Sequence, residues 1–205
     1  MRSLFPGMAV WVVLVGFLSL GMNVEPASAQ ISDSAAVPWK LDFKVDRFSS
    51  VVYRDKTGKA ETRWYLAFTV TNNGDSEAPL SLHFRADTDT KKKYFERTHK
   101  GAEKLIESRM KTDLLSSSER PKTLPAGESL KGIAILGQLD PQLDRITIKV
   151  SGLEDVVYRV GTKRFYRNRG LLLEWRRPGD EFQTHRDVLK FTKRAWEKVE
   201  PREVR

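Results

Sequence analysis

Cysteine is absent from all 205 residues. Disulfides, thiol nucleophiles, zinc–thiolate sites and redox pairs are thereby excluded. Histidine is scarce: His83, His99 and His185 stand far apart, without the close spacing that preforms a zinc site. Beyond the N-terminal region Met110 is the one methionine, too little for a thioether copper site. Asp87 and Asp89 offer carboxylates, but the glycine and closing glutamate of a calcium loop are missing, and Lys91-Lys92-Lys93 opposes a cation. No metal and no cofactor is expected on these grounds. No repeat of fixed period is visible, and past Met22 no apolar run approaches the roughly 20 residues that span a bilayer.

The N-terminus has what the rest lacks. Arg2 precedes an apolar stretch from Met8 to Met22, and Ala27-Ser28-Ala29 has the small-x-small form of a signal-peptidase site. A signal peptide over 1–29 is expected, with export to the periplasm or beyond and a mature start at Gln30. No membrane span is expected after cleavage. The formal net charge of +9 is unchanged by that cleavage, because one arginine and one glutamate leave together. Residues 30–38 are small and polar and read as a flexible leader.

The strongest structural signal is Trp64-Tyr65-Leu66-Ala67-Phe68-Thr69-Val70-Thr71. Trp64, Leu66, Phe68 and Val70 share one face of an extended strand, and Asn72-Asn73-Gly74 ends it. Burying such side chains contributes about 1.5–3 kcal/mol each. Leu41, Phe43 and Val45 alternate with charged residues in a first strand that continues from Phe48 to Tyr53 after a bend at Ser49-Ser50. Asp55 to Lys59 is a polar hairpin turn. Leu80, Leu82, Phe84 and Ala86 predict another half-buried strand; Leu130–Leu136 predicts a central one. Ile146, Ile148 and Val150, then Val156–Val160, then Leu171, Leu173 and Trp175 complete the set. A turn is expected at Pro178-Gly179-Asp180-Glu181. Thr88–Thr123 interrupts the pattern with a helix over Gly101–Lys111, on which Ala102, Leu105, Ile106 and Met110 share a face. Val188, Phe191, Ala195 and Val199 recur at near-helical spacing, predicting a C-terminal helix over Arg186–Val199; the tail, 183–205, is expected to be helical or extended.

About seven strands without βαβ alternation predict an all-β protein of two packed antiparallel sheets. The sandwich domain spans 39–182, with the insertion at 88–123. Thr69-Val70-Thr71-Asn72-Asn73-Gly74, followed by Leu124-Pro125-Ala126-Gly127-Glu128-Ser129, resembles the strand–turn patterns of immunoglobulin-like domains of bacterial exported proteins. The resemblance implies an immunoglobulin-like sandwich and brings no catalytic or binding residue with it.

Coherent catalytic sets are lacking. Ser108-Arg109-Met110-Lys111 and Lys56-Thr57-Gly58 match short motifs of penicillin-recognising enzymes, but in reversed order and without the Ser-x-Asn element. Asp180-Glu181 is an acidic pair in a turn, where adjacent side chains point apart. The expected role is non-catalytic, binding or scaffolding in the cell envelope. One alternative is a polyanion-binding module with a basic edge over 159–177, using Arg164, Arg167, Arg169, Arg176 and Arg177. Export points that edge to an anionic envelope polymer or another envelope protein, not nucleic acid. Lysine and arginine also protect strand edges from unwanted pairing. The other alternative is an envelope hydrolase in which Asp87, Asp89, His99 and Ser108 converge under the insertion.

Overall fold

The computed structural model describes residues 39–160, 163–178, 189–197 and 202–203. The expected signal peptide, the leader and the turn residues Gly179-Asp180-Glu181 lie outside the described residues. In chain order the elements are β1 (Trp39–Lys40), β2 (Asp42–Arg54), β3 (Ala60–Thr71), β4 (Ala78–Pro79), β5 (His83–Thr88), β6 (Lys93–Phe95), α1 (Lys100–Met110), β7 (Thr123–Leu124) and β8 (Ser129–Gly137). They continue as β9 (Arg145–Ser151), β10 (Glu154–Val160), β11 (Lys163–Arg167), β12 (Leu171–Arg176), β13 (Lys190–Trp196) and β14 (Arg202–Glu203). The protein is mostly β, with antiparallel sheets.

Alternating side chains build one shared core. Leu66, Phe68 and Val70 from β3 and Ala134 and Leu136 from β8 meet Phe84, Ile146, Ile148, Val150, Leu171, Leu173 and Trp175 of the other sheet. Phe84 lies 5.0 Å from Phe68 and 6.1 Å from Phe43, and Phe48 lies 4.6 Å from Trp175, so aromatic rings bridge the two layers. One layer has the order β2-β3-β8 and the other β13-β12-β9-β5-β6. A four-stranded sheet, β1-β10-β11-β14, and the β4-β7 ribbon stand beside them. There are thus more strands and sheets than the sequence pattern predicts.

The opposite face of β3 is also buried. Tyr65, Ala67, Val51, Ile133 and Ile135 form a second cluster with Ala102 and Ile106 of α1 and with Leu114. Helix α1 follows the predicted face. It is capped by His99, whose Nδ1 accepts from the Ala102 amide at 3.1 Å, while Glu103 accepts from the His99 amide at 2.8 Å. This double burial explains the unbroken apolar run in β8: alternate residues face the opposing sheet and the helix. β8 is nevertheless an edge strand by pairing, with only β3 beside it. The insertion covers that edge, since Leu115 exchanges backbone hydrogen bonds with Lys131 and Ile133, and Arg97 donates to the Ile135 carbonyl. A central strand was the expectation; backbone from loops does the work of the missing neighbour.

Two further expectations are corrected. β2 runs unbroken through Ser49-Ser50, and its irregularity is a bulge between Val45 and Arg47 that adds Asp46 to the strand. Within the predicted C-terminal helix, residues 190–196 are strand β13, paired to β12 from Leu171–Trp196 to Arg176–Lys190. A register shift at Glu174/Trp175 offsets the alternation there, and the strand is mostly exposed, so few apolar residues mark its period. The open edge of β12 requires backbone partners, and that need overrides a thin helical pattern.

Candidate functional site

The two layers differ in what lies over their outer faces. Helix α1 and its apolar cluster cover the outer face of β3 and β8. Across β13-β12-β9-β5-β6, Lys190, Lys193, Arg176, Arg145, Arg85 and Lys93 are all exposed. Alternation puts Arg176, Arg145 and Arg85 on one face, because the intervening Trp175, Ile146 and Phe84 point into the core. The register shift in β13 sets both Lys190 and Lys193 on that face, opposite Arg176 and Glu174. Arg176 is in register with both Arg145 and Lys190. Neighbouring strands lie about 4.8 Å apart, so three cations stand side by side on successive strands.

The row is only partly neutralised. Glu174 accepts from Arg176 Nε at 2.7 Å and from Thr192 Oγ1 at 3.3 Å. Burial pushes the Glu174 carboxyl up, but Arg176, Thr192 and the charge of Arg145 together hold it below its ordinary range. Among the described residues no carboxylate comes within 4.0 Å of Arg145, Lys190, Lys193 or Lys93. Farther along the face, Arg85 is paired with Asp87 at 3.0 Å and Lys149 with Glu197 at 2.5 Å. The uncompensated charge therefore gathers toward the Arg145–Arg176–Lys190 end.

At that end a cleft of about 740 Å³ opens between the β2–β3 hairpin and the connection from β8 to β9. Ser50, Val52, Thr62 and Trp64 line one side, and Gln138 to Asp144 the other, with Arg177 and Leu189. The connection is firmly held. Lys92 pairs with Asp140 at 2.7 Å, Tyr94 Oη accepts from the Asp140 amide at 3.0 Å, and Asp89 accepts from the amides of Asp144 and Arg145 at 3.1 and 3.0 Å. Lys92, then the Gln142 amide, hold the Asp140 carboxyl below its usual value. Trp64 packs tilted against Phe48 at 5.3 Å between ring centroids, a contact that continues through Trp175 to exposed Phe191.

No family model, curated protein or solved structure matches this chain.

The five arginines of the expected basic edge do not share one edge. Arg164 and Arg167 lie on β11, in the sheet β1-β10-β11-β14, and their side chains lie outside the description. Arg169 is engaged by buried Glu154 through two nitrogens and lies 5.2 Å over the Trp196 ring. Arg176 belongs to the exposed row, while Arg177 turns toward the cleft, donating to the Pro141 carbonyl at 3.1 Å. The sequence reading missed Arg145, Lys190 and Lys193; the alternation around Arg145 was visible, Lys190 and Lys193 lay in the segment read as a helix, and their juxtaposition with Arg176 depends on strand order.

The hydrolase set does not converge. His99 caps α1 and packs 4.8 Å from Tyr53, whereas Ser108 is exposed nine positions on, about 13 Å away at a helical rise of ~1.5 Å per residue. Asp89 is committed to backbone amides and Asp87 to Arg85. Lys111, of the Ser-x-x-Lys match, is the left-handed C-cap of α1, and Lys56-Thr57-Gly58 is a hairpin tip. Among the described residues no three His, Asp or Glu side chains gather as a metal set, and no helix is long and apolar enough to cross a membrane.

Proposed function

We propose that this is an exported, non-catalytic, immunoglobulin-like sandwich that binds an anionic polymer of the envelope through the outer face of β13-β12-β9-β5-β6. One observation carries the reading: one layer is covered by helix α1, and the other presents an open face whose cations outnumber its carboxylates, with Arg145, Arg176 and Lys190 in one row. Two facing antiparallel sheets support the immunoglobulin-like part of the proposal. The signal-like N-terminus supports export. Edge protection accounts for lysines on β13, an edge strand, but not for Arg145 on the interior strand β9.

The test is retention on a sulfated-polysaccharide resin. The purified protein is expected to bind at low salt and elute steeply as ionic strength rises, because the contacts are exposed and screened. R145E/K190E is expected to elute at distinctly lower salt. Unchanged elution would reject this face, and loss of retention in R164E/R167E instead would move the surface to β11.

A further inference from the structure

The three cations of the row and the cleft are joined through the chain itself. Asp144, Arg177 and Leu189 line the cleft, and each is the immediate neighbour of a row residue: Arg145, Arg176 and Lys190 respectively. The Arg177 amide donates to the Asp144 carbonyl at 2.8 Å, so the two strand ends are fastened at the junction. The cleft mouth and the positive row are therefore one continuous surface. We infer that they form a composite site for an acidic saccharide, a sugar unit seated in the cleft and its carboxylate, sulfate or phosphate groups lying along Arg145, Arg176 and Lys190.

The inference rests on the polyanion reading and adds the class of polymer. Two features of the cleft select sugar. First, four of its neutral polar side chains are unengaged: among the described residues no hydrogen bond occupies the carboxamides of Gln138 and Gln142 or the hydroxyls of Ser50 and Thr62. Amides and hydroxyls both donate and accept, which matches the hydroxyls of a sugar ring and is wasted on a phosphate chain that only accepts. Second, these groups share the cleft with half-buried Trp64 and exposed Val52, an aromatic and aliphatic lining suited to the C–H face of a pyranose. Asp144, more than half exposed at the mouth, offers carboxylate oxygens that accept from sugar hydroxyls, which polyphosphate lacks. The volume falls within the roughly 300–1,000 Å³ of ordinary small-molecule sites.

Two polyanions separate the possibilities: an oligogalacturonate, which has sugar rings, and inorganic polyphosphate, which has none. Binding to the purified protein is measured by calorimetry and by tryptophan fluorescence. The oligogalacturonate is expected to bind more tightly and to shift the fluorescence; polyphosphate is expected to bind weakly and leave it unchanged. Q138A/Q142A, at two exposed positions, is expected to weaken the oligogalacturonate about tenfold while leaving polyphosphate unaffected. V52W, which fills the cleft from an exposed position, is expected to do the same, and matching thermal midpoints show that both variants fold. If both polymers bind alike and neither variant alters either affinity, the saccharide cleft is wrong and the charged face stands alone. If R145E/K190E binds both polymers as the parent does, the polyanion reading and the composite site fall together.

Discussion

Arg120 is paired with Glu96 in the seam between the two layers, its guanidinium 5.2 Å from the Phe68 ring and 5.3 Å from the Phe84 ring. One nitrogen also donates to the Ile133 carbonyl of β8 at 2.8 Å. Glu96 continues from β6 with its amide bonded to the Phe84 carbonyl, and Arg97 then bonds to β8, so the chain changes layers here. The insertion is thus tied to both sheets through one buried cation.

Removing that cation alone leaves a buried carboxylate without a partner. R120M is expected to lose about 3–5 kcal/mol, whereas R120M/E96M is expected to recover most of it, because apolar residues replace a buried pair at little cost. Urea unfolding of the parent, both single variants and the double variant checks this; an R120M loss below about 1 kcal/mol would show the pair to be effectively solvated.

Two glutamates of the insertion should give opposite pH dependence. Glu119 is held at about 2 by Lys100, then by the Ser116 hydroxyl and amide. Its contribution to stability is full above its ordinary value of ~4.5 and is lost as pH falls toward 2, so E119Q should flatten the acid side. Burial pushes Glu96 up although Arg120 opposes it. Its contribution is full below the ordinary value and is lost as pH rises through the elevated one, so E96Q should remove that decline. Carboxyl titrations by NMR, with thermal midpoints from pH 2 to 7, test both signs.

A methyl group at Gly132 would lie 2.5 Å from Cζ of Phe68, in the middle of the core. Phe68 cannot retreat without disturbing Phe43 and Phe84. G132A is therefore expected to destabilise by about 1–3 kcal/mol, read from the denaturation midpoint at constant slope. A neutral result would mean that the two layers separate there easily.

Asn72 is almost wholly buried, donating to the carbonyls of Ser76 and Leu124 at 2.8 Å each and accepting from the Gly74 amide at 3.0 Å. N72L fits the apolar surroundings but strands those groups, at an expected loss of about 1–3 kcal/mol. Faster amide exchange at Gly74, relative to the core of β3, would locate the damage.

The candidate surface was less legible than the fold. Alternation in Trp64–Thr71 and Ile146–Val150 reported which side chains point inward, because a strand's two faces are written in its own sequence. The helix of Lys100–Met110 was legible for the same reason. Asn72 was visible as a turn residue, but its role as a buried cross-link to Leu124 was not, since its partner lies on a strand distant in sequence.

By itself the sequence determined the thiol-free chemistry, the positive charge, the inward rows of the main strands and the amphipathic helix, all of which are local properties of composition and period. Tertiary structure alone decided that α1 covers β3 and β8, that β13 is a strand, and that Arg145, Arg176 and Lys190 lie together beside a cleft. Those outcomes depend on which strand pairs with which, a choice made by backbone hydrogen bonds and long-range burial that no single stretch of residues encodes.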